Sequence, residues 1–268
     1  MVPELIFYNG RKLTEGLYYH ENDGILYFVA IRDNLIHAFS PDTGEVKTYT
    51  TNGPVGGVVV RDGVIVEAEK HGIYSIDPKT GEKSLIKHII ENNKMRYNHL
   101  ILDSKQRILV DVMGDEERSE GKGGLYSIEG DHVRTLVYGT TVANGMGFSN
   151  DGRYLYFTDT VTRMVMRYEY SQETGEIGTG QAVVKINDGG LPDGLCVDSK
   201  DMLWVTEWGG GKIGCWNPNT GVKEEEIRLP CRNVTSCCIG GGWLYIATAK
   251  CEQYNSAPAG GIFRVKIG

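Results

Sequence analysis

Asp23-Gly24 followed by Ile25-Leu26-Tyr27-Phe28-Val29 is a tight turn feeding an apolar, aromatic-rich run. Asp-Gly between β-prone segments is a strong short-range hairpin signal, because the glycine takes positive φ without a steric cost. The same unit returns as Asp62-Gly63 before Val64-Ile65-Val66, and as Asp103-Ser104-Lys105-Gln106 before Ile108-Leu109-Val110. It recurs as Asp151-Gly152 before Tyr154-Leu155-Tyr156-Phe157, and as Asp198-Ser199-Lys200-Asp201 before Met202-Leu203-Trp204-Val205. The last copy is Gly240-Gly241-Gly242 before Trp243-Leu244-Tyr245-Ile246. Positions 24, 63, 105, 152, 201 and 241 are separated by 39, 42, 47, 49 and 40 residues. A period of that size built from short strands is the mark of propeller blades.

A second turn family completes the unit. Pro41-Asp42-Thr43-Gly44, Pro78-Lys79-Thr80-Gly81 and Pro218-Asn219-Thr220-Gly221 each follow a short strand, and Gln172-Glu173-Thr174-Gly175 is a looser copy. Proline presets the first turn angle and glycine the last. Each unit therefore reads strand, Asp-Gly turn, strand, loop, strand, Pro-x-Thr-Gly turn, strand. Six copies predict an all-β, six-bladed β-propeller of four-stranded blades spanning residues 1–268 as a single domain. Gly261-Ile262-Phe263-Arg264-Val265 supplies a third strand to the last blade, and no fourth follows it. Leu5-Ile6-Phe7-Tyr8 is expected to fill that place, closing the ring and removing a free sheet edge.

Composition narrows the function. The net charge is −7, from 28 basic and 35 acidic residues, and no Lys/Arg cluster stands out, which argues against nucleic-acid or anionic-membrane partners. No apolar run has transmembrane length and no secretory leader is visible, so a cytoplasmic location is the expectation. A closed propeller needs no partner to bury its core, so a monomer or weak homo-oligomer is expected. The cysteines at 196, 215, 231, 237, 238 and 251 lack zinc-ribbon spacing and read as buried thiols. Asn233-Val234-Thr235 matches a glycosylation sequon that a chain without a leader leaves unused. Gly209 to Gly214 matches a dinucleotide fingerprint by letters only; with no helix after it, it is a blade loop. No nucleophile elbow and no H-E-x-x-H occurs.

In the repeat register, Glu15, Asn98, Asn144 and Asp193 each open the first strand of a unit. Blade two offers Val55 or Gly56 there, and blade six Thr235 or Ser236. The first strand of a blade is the innermost, so four oxygen-bearing side chains converge on the axis. Two carboxylates and two amides form a hard-oxygen donor set suited to calcium, magnesium or manganese, with positions left for water and substrate. A second set, Glu67, Asp111, Asp159 and Glu207, ends the second strands and is expected at the same mouth, orienting ligands or substrate hydroxyls. The charged, glycine-rich loop 114–124 leaves from that mouth and is a candidate lid, or simply a solvated loop.

At these residues the chain resembles the gluconolactonase family, which includes senescence marker protein (regucalcin) and the luciferin-regenerating enzymes. The resemblance rests on Glu15-Gly16, Arg96-Tyr97-Asn98, Asn144 to Gly152, Pro192 to Asp198 and Thr235 to Gly241, and runs from residue 15 to residue 249. It implies that Glu15, Asn144 and Asp193 hold one divalent metal ion, with Ca2+ first and Zn2+, Mg2+ or Mn2+ as alternatives. It implies that Arg96 binds substrate, a small-molecule sugar-acid lactone, and that Asn98 reaches the metal through water or contacts substrate. The family pattern has Asp-Gly after the Arg-x-Asn motif, and this chain has His99-Leu100. His99 is accordingly expected to bind substrate or pass a proton to the leaving oxygen. Asp193 is the expected general base, in a reaction where activated water opens the lactone. A metal-dependent esterase or phosphotriesterase on the same site, or a calcium-binding propeller without catalysis, are the competing expectations.

Overall fold

The computed structural model describes residues 1–116, 119–255 and 257–267. Six four-stranded antiparallel sheets form a ring, a six-bladed β-propeller. From inside outward, blade one comprises Thr14–His20, Ile25–Ala30, Leu35–Phe39 and Val46–Thr50; blade two comprises Val55–Arg61, Val64–Glu69, Gly72–Ile76 and Lys83–Lys87. Blade three comprises Met95–Leu102, Ile108–Gly114, Gly123–Glu129 and His132–Thr140; blade four comprises Ala143–Phe148, Tyr154–Asp159, Met164–Glu169 and Gln181–Lys185. Blade five comprises Leu191–Val197, Leu203–Trp208, Lys212–Trp216 and Lys223–Arg228. Blade six comprises Asn233–Gly240, Trp243–Ala249, Ile262–Lys266 and, as its outer strand, Glu4–Phe7. Two 3-10 turns, Ile31–Asp33 and Thr160–Thr162, are the helical segments among the described residues, and none is long and apolar enough to cross a membrane.

The turns do what their chemistry dictates. Gly24, Gly63 and Gly152 take positive φ, and where the glycine is missing Gln106 and Asp201 take it instead. In the four Thr-Gly turns the glycine N–H returns to a carbonyl four residues back, as in Gly81 to Asp77 at 2.8 Å. Gly209–Gly211 is the hairpin loop between the second and third strands of blade five, as expected.

Closure is carried by both chain ends. The outer strand of blade six pairs antiparallel with Ile262–Lys266, and Arg264 Nε donates to Glu4 Oε2 at 2.8 Å. Phe7 packs across the junction onto Phe28 and Phe39 of blade one, with ring centroids 5.0 and 5.2 Å apart. Inside the ring, Thr235 Oγ1 donates to Thr14 O at 2.6 Å and Thr14 Oγ1 to Gly260 O at 2.8 Å. Apolar clusters fill the wedges between neighbouring blades, for example Leu17, Leu26 and Phe28 against Tyr245 and Ala247.

Each inner strand shifts register against its neighbour near its start: between Glu15 and Tyr18, Val55 and Gly57, Tyr97 and Leu100, Ala143 and Met146, Pro192 and Leu195, and Val234 and Cys237. A bulge bends the strand and re-aims a side chain. Six in one ring turn the opening residues of the strands toward the axis. Backbones approach closely there: a Cβ on Gly145 would lie 2.5 Å from Asp193 O and Leu195 N, so only glycine fits.

Candidate functional site

Those bulges bring Glu15, Asn98, Asn144 and Asp193 to one cavity of about 270 Å³, together with Arg96. All five are buried. Apolar side chains complete the lining: Leu13, Met113, Val142, Leu191 and Trp208. The expected convergence of the four inner-strand residues is what the fold produces.

Asn98 is held on both sides. Arg96 Nη1 donates to its Oδ1 at 2.6 Å, and its own Nδ2 donates to Ala143 O at 3.0 Å. Arg96 Nη1 also reaches Tyr97 O at 3.0 Å, which fixes the plane of the guanidinium. Asn144 Nδ2 donates to Thr160 Oγ1 at 3.3 Å, leaving its amide oxygen for the cavity.

Asp193 stands apart. Its Oδ1 is buried without a hydrogen-bond partner. Burial first, and the Glu15 charge second, push its carboxyl well above the usual aspartate range, against the opposing pull of Asn144 and Arg96. Glu15 is pushed up to about 7 by burial, partly offset by Arg96 and Arg32. Two carboxylates that burial leaves short of compensating charge are a ready site for a cation. Among the described residues no three His, Cys, Asp or Glu side chains group to hold a metal unaided. The set here is two carboxylates completed by amide oxygen. Hard oxygens, an orphaned buried carboxylate oxygen and space for further ligands together fit an oxygen-preferring divalent ion.

The remaining expectations fare differently. His99 is buried but does not line the cavity; its backbone N–H goes to Asp111 Oδ1 at 2.8 Å. Burial lowers the imidazole to about 4, so the ring is neutral at physiological pH. Asn98 and His99 lie within the bulge between Tyr97 and Leu100, and Asn98 but not His99 lines the cavity. The second acidic set also lies outside this lining. Asp159 accepts the Thr141 and Val142 N–H groups at 3.0 and 2.9 Å. Glu67 pairs with Lys83 at 2.6 Å, yet burial still lifts it to about 8. Glu207 lies 3.6 Å from Lys212. Asp159 and Glu67 thus tie loops and strands together, whereas both carboxylate oxygens of Glu207 are buried without a hydrogen-bond partner. Of the loop 114–124, residues 117 and 118 lie outside the described residues, and with them part of the candidate lid. Asn233 of the sequon is buried in an inner strand and cannot carry a glycan. All six cysteines are free thiols.

Sequence reasoning missed Asp115 and Thr160, which directly follow second strands, and Trp208, which ends one. Asp115 gathers cations: Arg32 Nη1 and Lys70 Nζ each lie 2.7 Å from it, and Arg96 Nε at 3.8 Å. These partners hold its carboxyl below the usual range despite burial. Its signal lay in the charged loop that begins at Gly114. Trp208 directly follows Glu207, a position already singled out.

Comparison with known proteins places this geometry. A pentonolactonase of Haloferax volcanii is 30% identical over 273 residues, covering 96% of this chain and 91% of that protein. Regucalcin of Xenopus laevis is 27% identical over 271 residues, covering 95% and 90%. Among solved structures, a calcium-binding protein described as regucalcin from Agrobacterium tumefaciens superposes with a TM-score of 0.92 at 20% identity, over 100% of this chain and 94% of that one. A luciferin-regenerating enzyme gives 0.91 at 21% identity, over 99% and 95%. Residues 13–250 match the profile of the SMP-30/gluconolactonase/LRE-like region, and the chain belongs to that family.

Proposed function

We propose that this protein is a divalent-metal-dependent lactonase that opens a sugar-acid lactone, an aldonolactone, to its hydroxy acid. The observation that carries the proposal is the buried Asp193 carboxylate, with one oxygen unpartnered, beside Glu15 in a small cavity with an arginine at its side. Membership in a family that includes a pentonolactonase supports the reaction class.

Glu15, Asn144 and Asp193 hold the ion, with Ca2+ as the first choice and Zn2+, Mg2+ or Mn2+ as alternatives. When bound there, a divalent cation supplies Lewis acidity toward the carbonyl oxygen and makes a nearby water more acidic. Asp193 accepts the proton of the attacking water. The water oxygen bonds to the carbonyl carbon, and the ring C–O bond breaks. The ring oxygen leaves as a hydroxyl, receiving the proton that Asp193 took. Arg96, its plane set by Tyr97 and Asn98, orients the ring hydroxyls and then the new carboxylate, which a guanidinium fork suits. Asn98 fixes Arg96 and contacts substrate.

The test is proton release from five- and six-membered aldonolactones, corrected for spontaneous hydrolysis, with chelated protein and with each ion restored. Turnover that disappears on chelation and returns with one ion supports the proposal. Calcium binding with no hydrolysis of any lactone leaves a binding propeller instead. The apolar lining from Leu13, Met113, Val142 and Leu191 favours one second reading, hydrolysis of aryl esters or phosphotriesters at the same ion. Faster turnover of those substrates than of any aldonolactone would select it.

A further inference from the structure

The cavity does not end at the lactone site. The cross-strand pair Leu191 and Trp208 lines it and, equally, a second depression of about 480 Å³. The first cavity lies below the roughly 300–1,000 Å³ typical of larger ligand sites, so it suits a single small ring. The second is larger and opens directly beside it. Trp204 and Trp216 are buried, whereas Trp208 is 37% exposed at the ridge between the two spaces. An indole left in water at the edge of a polar site is a flat surface for another flat or ring-shaped group.

The chemistry beyond the ridge is specific. Arg232, Asn233, Glu252 and Gln253 line the depression, offering both donors and acceptors. Arg232 and Glu252 leave its net charge near zero, which disfavours an anion and suits a neutral group rich in hydroxyls. Arg232 Nη1 already donates to Gln253 Oε1 at 2.6 Å, which positions the guanidinium without using all its N–H groups. Gly189 and Gly209 bring bare backbone to the wall, so a bulky ring can approach.

We infer that this depression is a subsite for a second sugar unit, and that the preferred substrate is the lactone of a glycosylated aldonic acid. The lactone ring sits at Glu15, Asn144 and Asp193. The attached sugar crosses the ridge, lays its C–H face on Trp208 and hydrogen-bonds Arg232. The substrate assignment rests on the lactonase reading; the subsite itself does not.

Two measurements test it. The first compares kcat/KM for a disaccharide-derived aldonolactone with that for the matching monosaccharide lactone, in the wild type and in Arg232→Ala. The wild type prefers the disaccharide lactone, and Arg232→Ala lowers that preference by about fivefold to tenfold. An unchanged ratio in Arg232→Ala, or a wild type with no preference for the disaccharide lactone, overturns the subsite. The second follows tryptophan fluorescence while titrating the ring-opened disaccharide acid in the presence of calcium. Quenching is expected in the wild type with the disaccharide acid but not with the matching monosaccharide acid, and is absent in Trp208→Phe. If no lactone is hydrolysed yet this quenching appears, the lactonase reading fails and the subsite stands. If lactones are hydrolysed and the quenching is absent, the subsite fails and the lactonase reading stands.

Discussion

Asp193 is the residue on which most of the chemistry turns. Its unpartnered oxygen costs stability in the metal-free protein, because a buried carboxylate without compensation is penalised by about 1–3 kcal/mol or more. Asp193→Asn should therefore leave the fold intact and the metal-free melting temperature equal or higher. The same substitution should lower turnover by about a thousandfold, on the order of removing an essential base and ligand together. Calcium should raise the melting temperature of the wild type, and the substitution should abolish that rise, since only a bound ligand shifts that equilibrium. Near-normal turnover would remove Asp193 from the mechanism. Arg96→Ala should raise KM by roughly tenfold or more while calcium-induced stabilisation survives; loss of both together would make Arg96 a brace for the site. The four inner-strand residues were legible because each occupies the same place in a repeat. Asp115 and Thr160 were not, because loop geometry, which a repeat does not encode, brings them in; Trp208 ends a strand but has no counterpart of its kind in the other units. His99 was singled out only by its place beside Asn98, and it does not line the cavity.

The element that makes the site is the bulged inner strand. Its bulges were invisible in the sequence, where Glu15 stands nine residues before its turn glycine and Asn144 and Asp193 stand eight before the matching positions. The unequal offsets are what an irregular register leaves behind. Gly145 shows how tightly the strands are drawn together. Gly145→Ala should cost roughly 2–4 kcal/mol in a urea titration, because neither Asp193 O nor Leu195 N is a flexible side-chain end that can move away. Gly44→Ala, at positive φ but with open space around it, should cost only about 1 kcal/mol. Equal costs would mean that the inner strands can part. By contrast, the Asp-Gly and Pro-x-Thr-Gly turns were legible because turn chemistry is local and needs no knowledge of neighbouring blades.

At the scale of the molecule, the ring is fastened where blade six meets blade one. His37 lies in that seam, between the rings of Phe7 and Phe28, with Nδ1 2.9 Å from Thr48 Oγ1. Burial, reinforced by Arg11, lowers it to about 4 from an ordinary 6.5. The folded seam thus binds fewer protons than the unfolded chain between those values. Its contribution to stability is complete above pH 6.5 and is lost as pH falls toward 4. His37→Phe should flatten that part of the stability profile, as read from urea midpoints at pH 7.5 and 4.5. An identical slope in the variant would show that other groups govern acid unfolding. Removing residues 2–8 should lower stability by roughly 2–4 kcal/mol, through the loss of Phe7 packing and of a paired strand. The closing strand was legible because the last unit was one strand short.

That seam also sets an order of events. Glu4 and Arg264 are 260 positions apart, yet they share one sheet. The Glu4–Phe7 strand can pair only once Ile262–Lys266 is in place, so the intervening blades can form before the ring closes. Glu15 and Asp193, drawn from blades on either side of the seam, meet only when the circle is drawn shut. The candidate site is therefore a product of ring closure and belongs to no single blade.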